Sequence, residues 1–321
     1  MAENKRVAYF NGEIVPEEET RVSIWDAGVR SGEWVFESTR TFNHKCFRLR
    51  HHLERLYASM KVIEIDAGMT IDEMEQITLE VLDLNLATIA ANDDFMFSHD
   101  VSRGMSKPFN LGPNDSYERT IIITYLPMGP FSHGYVDSLV NGVQAIIPPQ
   151  QTIPARLLDP KMKNRNRIHY STGARQAARI DPKANAIFLD EDGYLTEGGG
   201  ANFLIVKGRD VISPEPRNIL RGVTRGAIQD WAPRLGLNFV ERNIEAYDVH
   251  TADEAFFTST PYCVMPCVML DGAPIGDGKP GPVTGELMGA FSEELGVDVI
   301  EQARQLAEPF MESPPKGSRP Y

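Results

Sequence analysis

Cationic charge, cysteine and long apolar runs are all scarce in this chain. Lys and Arg total 32 against 45 Asp and Glu, a formal net charge of −13, which argues against nucleic acid or an anionic membrane as a partner. Three cysteines in 321 residues, Cys46, Cys263 and Cys267, are too few and too scattered for a disulfide framework. Cys263 and Cys267 stand four apart, but no further Cys or nearby His completes a set of ligands, so no metal is expected. No apolar stretch reaches the length of a membrane-spanning helix. The start, Met1 to Arg6, runs straight into a strand-like Val7-Ala-Tyr-Phe10 without an apolar signal region, and a cytoplasmic location is expected. No internal repeat is visible. A hydrophobic content of 42%, evenly spread, suffices for two domains with cores of their own.

Three separated segments carry chemistry. They are Lys163 to Asn166, Thr196-Glu197-Gly-Gly-Gly-Ala-Asn202, and Leu220-Arg-Gly-Val-Thr-Arg225. A lysine amine can form a Schiff base with an aldehyde cofactor once nearby cations or burial loosen its proton, and Lys163 has Lys161, Arg165 and Arg167 beside it in sequence. An anionic partner keeps a pyridine nitrogen protonated, and Glu197 is the candidate. Gly222-Val223-Thr224 leads into Ile228, Trp231 and Leu235 at helical spacing, so backbone N–H groups there could hold a phosphate, with Thr224 as the expected N-cap. Singly, each segment has a plainer reading as a solvated basic face, a turn or a cap. Together, in this order, they point to pyridoxal 5'-phosphate.

The order Lys163-x-x-Asn166, Glu197-Gly-Gly-Gly-Ala-Asn202-Phe, Ile219-Leu-Arg-Gly-Val-Thr-Arg225 and Ala252-Asp-Glu-Ala-Phe-Phe-Thr-Ser-Thr260 resembles the class IV aminotransferases. The likeness extends upstream through Asp26-Ala-Gly28, Val35-Phe36-Glu37, Arg40 and His52 to Leu56, and downstream through Asp271-Gly272 to Thr284. It implies a two-domain α/β fold like that of D-amino acid aminotransferase, a homodimer, and ping-pong transfer from an amino donor to a 2-oxo acid. It also implies roles. Lys163 matches the Schiff-base lysine and proton shuttle, Glu197 the ring-nitrogen partner, and Leu220 the residue packed on the ring. Arg55, Val223, Thr224 and Thr260 match the phosphate cup, with Ser259 and Pro261 beside it. Ser31 and Phe36 match pocket-lining positions, and Arg103 resembles the carboxylate-binding arginine of the D-amino acid branch.

Some positions depart from the branched-chain members of that family. These usually carry one tyrosine shortly after the lysine and another before the glycine matched by Gly32, where this chain has Arg167 or Ile168, and Ser31. Pro261, which has no N–H, stands where a small alanine is common. Ala252 to Thr284 still resembles the branched-chain group, and an L-branched-chain donor is the favoured expectation. A D-amino acid or (R)-amine transaminase is the alternative, as is an aminodeoxychorismate lyase, which Lys163-Asn-Arg-Asn-Arg167 resembles. Use of the basic 161–167 run on RNA is opposed by the net charge.

Local patterns divide the chain. Asn11-Gly12, Asn43-His44 and Asp192-Gly193 read as hairpin turns. Leu53, Leu56, Tyr57 and Met60 form a helical stripe that leaves Arg55 off the apolar face, and Thr70-x-x-Glu73 reads as a capping box. Ala174, Ala177, Ala178 and Ile180 predict a helix after the lysine, and Pro233 predicts a kink in the helix after Thr224. The expected domains are an N-terminal α/β domain over 1–127, a linker over 128–136, and a cofactor-binding α/β domain over 137–308. A Pro-, Gly- and Ser-rich tail is expected over 309–321.

Overall fold

Short-range turn chemistry sets the first strands. Asn11 and Gly12 both take positive φ (51° and 104°), as the tight turn that matches strand twist requires. They join β1 (Val7–Phe10) to β2 (Glu13–Pro16) with Phe10 opposite Glu13. Asn43 and His44 do the same between β3 (Trp34–Phe42) and β4 (Lys45–Cys46) without a glycine. The buried Asp94 carboxylate accepts both of their N–H groups, at 3.0 and 2.9 Å, and offsets the strain of that conformation.

The structure, a computed structural model, describes residues 5–105 and 119–311. It resolves into two compact units, 1–128 with 162–166, and 129–161 with 167–321. The expected domain boundaries differ in two respects: residues 162–166 group with the first unit, and the expected linker is helical over Met128–His133. Residues 309–311 end a helix, and the rest of the expected tail lies outside the described residues.

Among the described residues, the first unit holds a six-stranded sheet in the order β2-β1-β6-β5-β3-β4, with β5 at Phe95–Ser102 and β6 at Thr120–Pro127, all pairs antiparallel. Helix α1 (Ala27–Ser31) is capped by Asp26. That fully buried carboxylate also accepts Ser102 and Thr120 hydroxyls at 2.6 Å each, tying α1 to the ends of two strands. Helix α2 (Leu49–Val62) buries Leu53, Leu56 and Met60 as its stripe predicts, each worth about 1.5–3 kcal/mol of burial. Helix α3 (Ile71–Asn85) begins with the Thr70–Glu73 capping box and ends with Asn85 bonded to both backbone groups of Val7.

The second unit begins one residue into helix α4 (Met128–His133), continues with α5 (Val136–Asn141) and builds on β7 (Val143–Ile146), β8 (Asn185–Leu189), β9 (Leu195–Gly198), β10 (Asn202–Lys207), β11 (Asp210–Ser213), β12 (Asn238–Glu241), β13 (Glu254–Ser259), β14 (Cys263–Leu270) and β15 (Ala273–Pro274). Its strand order is β12-β11-β10-β13-β14-β7-β8-β9, with β15 on β14. A further pairing, Glu197 opposite Asn202, joins β9 back to β10 and closes six of these strands into a ring. Around it run α6 (Ile168–Ala178), α7 (Val223–Trp231), α8 (Ala246–His250), α9 (Pro282–Leu295) and α10 (Val299–Met311). The buried face of α6 is His169, Tyr170, Gly173 and Ala177, while Ile180 lies beyond the helix and is exposed. Gly173 is required there, since a Cβ would meet the Phe188 ring at 2.2 Å. Helix α7 ends before Pro233, which starts a 3-10 turn over Ala232–Leu235 in place of the expected kink.

Candidate active site

In the first unit, Lys163 sits on a short extended segment laid against the Trp34 end of β3, where β4 does not reach. Phe36 N–H donates to the Lys163 carbonyl at 2.9 Å, Arg165 N–H donates to the Trp34 carbonyl at 3.0 Å, and Val35 bridges Asn164. Asn166 Nδ2 donates to the Gly32 carbonyl at 3.0 Å, and Gly32 (φ 75°) has no room for a Cβ, which would meet Asn166 Oδ1 at 2.3 Å. The lysine is therefore backbone-anchored on both sides.

Its ammonium lies 4.6 Å from the centre of the buried Phe36 ring, and the Arg165 guanidinium lies 3.7 Å from the same centre. Two cations share one aromatic ring, a contact favourable to each but crowding both. Arg165 is fixed by Asp100, at 2.7 Å from Nε, and by Ser98 Oγ, at 2.9 Å from Nη2. Of the other two cations expected beside the lysine, Lys161 pairs with Asp159 at 2.8 Å and Arg167 lies over Tyr170.

Arg55 does not run out to solvent, as its place off the stripe suggested. Its Nε and Nη2 each reach a different oxygen of the fully buried Glu37 at 2.7 Å, a bidentate pair that also includes His52 at 3.3 Å. Burial pushes the Glu37 carboxyl up, but Arg55 and His52 overcome it and hold it well below the ordinary range. Burial pushes His52 down, with Glu37 only partly offsetting. His99, buried and bonded to Thr78 Oγ1 at 2.8 Å, is pushed down to about 4 by the same cause.

The pocket residues expected near these groups have local duties. Ser31 is exposed, its hydroxyl shared between two acceptors, the Ala27 carbonyl at 2.9 Å and the Glu33 carboxylate at 3.0 Å. Arg103 bonds the Glu33 carboxylate and the Ile63 carbonyl, and reaches the Glu64 carbonyl at 3.0 Å. Every nitrogen of its fork is thus engaged at home.

In the second unit, Glu197 is buried at the seam of the strand ring. Its Oε1 accepts the Tyr170 hydroxyl at 2.9 Å; its Oε2 accepts Asn202 Nδ2 at 3.0 Å and the Leu220 N–H at 2.9 Å. Asn202 also donates to the Leu220 carbonyl at 2.8 Å, so Leu220 is pinned at both backbone groups. Helix α7 follows, but its N-cap is Gly222, not Thr224, which lies buried at the second helical position. Residue 222 has little room for a side chain, since a Cβ there would meet Asn202 Oδ1 at 2.1 Å. With a glycine cap, no cap side chain bonds the first helical amides, which include Val223 and Thr224, the arrangement a phosphate needs at a helix start.

Ser259 is buried at the end of β13 and Thr260 follows, half-buried. The Pro261 carbonyl accepts the Tyr135 hydroxyl at 2.9 Å, and burial pushes the neighbouring Tyr262 up to about 12.

Sequence reasoning missed Glu37, Asp100, Tyr170 and Asn202. Tyr170 lies on the buried face of α6 with Gly173 and Ala177, a three-and-seven spacing that marks the face but not the partner. Asn202 stood inside a quoted motif without a role.

Residues 34–270 match the family of class IV amino-transferases. Over 298 residues the chain is 32% identical to a protein of Methanocaldococcus jannaschii provisionally named a branched-chain-amino-acid aminotransferase, spanning 92% of this chain and 99% of that one. The crystal structure of the Escherichia coli branched-chain amino acid aminotransferase matches with a TM-score of 0.80 at 26% identity, over 90% of this chain and 94% of that one. The branched-chain amino acid aminotransferase of Thermobaculum terrenum, solved in its PLP-bound holo form, matches with a TM-score of 0.75 at 25% identity, over 95% and 97%. The mixed α/β two-domain fold is that of these enzymes. On the length and placement of the match, the chain belongs to the class IV aminotransferases.

Proposed function

We propose that this chain transfers the amino group of a branched-chain L-amino acid to a 2-oxo acid by a ping-pong reaction, with pyridoxal 5'-phosphate as its cofactor. The observation that carries the reading is Glu197, a buried carboxylate fixed by three donors beside a helix start whose cap is a bare glycine. Those residues fit a protonated pyridine and a phosphate.

When bound, the cofactor supplies an electron sink for the bond broken at the donor carbon. Glu197 would hold the ring nitrogen protonated, and Leu220 would pack on the ring. The Val223 and Thr224 amides, Thr260 and Arg55 would bind phosphate, with Ser259 adjoining. Lys163 would carry the proton at Nζ, beside the Phe36 ring that it shares with the Arg165 guanidinium. Phe36, Ser31 and Pro261 would meet the substrate. Arg103 stays on this set as a shaping residue, because its fork is engaged with Glu33 and two carbonyls, and that engagement favours the L-amino acid reading over the D-amino acid one.

The protein would work in the cytosol as a homodimer, without nucleic acid or membrane partners. Among the described residues no helix is long and apolar enough to cross a membrane. Exposed Ile24, Trp25 and Val29, clustered around the start of α1, support a covered surface on the first unit.

The test is a half-reaction series on purified protein, with L-leucine, D-alanine and (R)-1-phenylethylamine added separately while the cofactor's visible absorbance is followed. L-leucine should remove it. Loss with D-alanine or the amine alone would overturn the substrate assignment, and Lys163→Ala should remove transamination altogether.

A further inference from the structure

Tyr170 is one of the three donors that fix Glu197, and its phenol is built into the seam that holds that carboxylate. Its ring fills a core of Ile146, Ala177, Ala186 and Phe188, meeting the Phe188 ring edge-on at 5.1 Å and 84°. A phenylalanine would fill that core equally well. A hydroxyl there would be costly without an acceptor, and it finds one in Glu197 Oε1 at 2.9 Å.

We infer that Tyr170 is a positioning residue for transamination: its hydroxyl keeps Glu197 ionised and rotationally fixed, and Arg167 strengthens that hold from over the ring. The inference rests on the proposed role of Glu197 as the ring-nitrogen partner.

The two oxygens of Glu197 are served by separate donors, Tyr170 on one and Asn202 with the Leu220 amide on the other. Donors on both oxygens stop the carboxylate from turning, and hydrogen bonds to the charged form favour that form. A proton shared between a ring nitrogen and Glu197 then stays on the nitrogen. Without the Tyr170 hydroxyl, Oε1 loses its donor, the carboxylate becomes more basic, and the shared proton moves toward it.

Arg167 supplies the second element. Its guanidinium lies 4.6 Å from the centre of the Tyr170 ring and is held there by a hydrogen bond to the Gly199 carbonyl, within the glycine run that follows Glu197. A cation over the ring draws density from the phenol and makes its O–H a better donor. Burial, with Glu197 alongside, pushes the Tyr170 hydroxyl well above its ordinary range, so it remains a donor throughout the neutral range. Arg167 stands near the position where branched-chain relatives were expected to carry a tyrosine. Here the arginine and Tyr170 act as a pair.

The experiment uses holoenzyme loaded with cofactor labelled with 15N in the ring, comparing wild type, Tyr170→Phe, Glu197→Gln and the double variant. The 15N shift reports ring protonation independently of turnover. Tyr170→Phe should move the signal toward the unprotonated position and lower kcat about tenfold with KM little changed, the effect of one buried hydrogen bond. In the Glu197→Gln background the same substitution should add nothing, because Tyr170 acts through Glu197. Arg167→Gln should shift the signal in the same direction by less, which keeps a readout if Tyr170→Phe folds poorly. A wild-type 15N shift in Tyr170→Phe, alongside a shifted Glu197→Gln, would overturn the inference and leave the role of Glu197 standing. An unshifted Glu197→Gln would remove that role, and the inference with it.

Discussion

Each unit buries one glutamate among its candidate site residues, and the two are stabilised differently. Glu37, fully buried in the first unit, meets a guanidinium through two bonds of 2.7 Å, with His52 at 3.3 Å. Glu197, in the second, is met by a phenol, a side-chain amide and a backbone N–H. An ion pair cancels charge as it fixes geometry, whereas neutral donors fix geometry and leave the charge to act on something else. The first arrangement suits a carboxylate that aims an arginine. The second suits one that answers to a cationic ring.

The comparison is most easily broken at Glu37. Glu37→Ala leaves Arg55, only 13% exposed, without its bidentate partner, and should cost about 3–5 kcal/mol. Glu197→Ala should cost about 1–3 kcal/mol, the desolvation of unmet neutral donors. Urea denaturation of both variants checks the order; equal losses would show that the two sites are not stabilised differently.

Acid should separate them next. Glu37, His52 and His99 all titrate lower in the folded chain than in the unfolded one. The unfolded chain therefore takes up protons first as pH falls, and stability drops with it. The contribution of His52 and His99 is present above 6.5, their ordinary value, and is lost below it, toward about 4 for His99. That of Glu37 is present above 4.5 and is lost on further acidification. Glu37→Gln should flatten the lower stage of a stability-against-pH curve. An unchanged lower stage would mean that other carboxylates set it.

Gly222 tests the second unit from its backbone. Gly222→Ala places a methyl 2.1 Å from Asn202 Oδ1, and displacing Asn202 should cost about 1–3 kcal/mol by overpacking. Because Asn202 links Glu197 to Leu220, cofactor affinity should fall as well. Fluorescence titration of the apoprotein with pyridoxal phosphate reads the second effect separately from the first.

What could be read in the chain beforehand was whatever is settled within a few residues. The Asn11-Gly12 and Asp192-Gly193 turns, the Thr70–Glu73 box and the Leu53–Met60 stripe each depend on neighbours in sequence, and each formed. Lys163, Glu197 and the step into α7 were legible as residue types with a chemistry. Their supports were not. Glu37 and Arg55 are 18 apart, Tyr170 and Glu197 27 apart, and Arg165 and Asp100 65 apart, so only the folded chain pairs them. Arg55 shows why periodicity failed: a residue beside the apolar stripe turns inward when a buried carboxylate waits for it. Thr224 fits a cap by type, but the helix begins two residues earlier, with its cap at Gly222, where Asn202 leaves little room for a side chain.

The smallest expected effect comes from a second guanidinium–carboxylate pair in the first unit. Arg165 meets Asp100 at 2.6 Å, much as Arg55 meets Glu37, but its side chain is 39% exposed against 13% for Arg55. Solvent screens the attraction from the arginine's side, and Asp100, although its own side chain is only 12% exposed, keeps the Ser98 hydroxyl as a donor and can accept from the glutamine amide, so Arg165→Gln should cost about 1 kcal/mol. Thermal denaturation of this variant beside Glu37→Ala sets the less buried pair, bonded through one carboxylate oxygen, against the more buried one, bonded through two. A loss of several kcal/mol would instead assign the stability to the Phe36 ring that Arg165 shares with Lys163, and the stack of two cations would then be a structural clamp on the lysine segment.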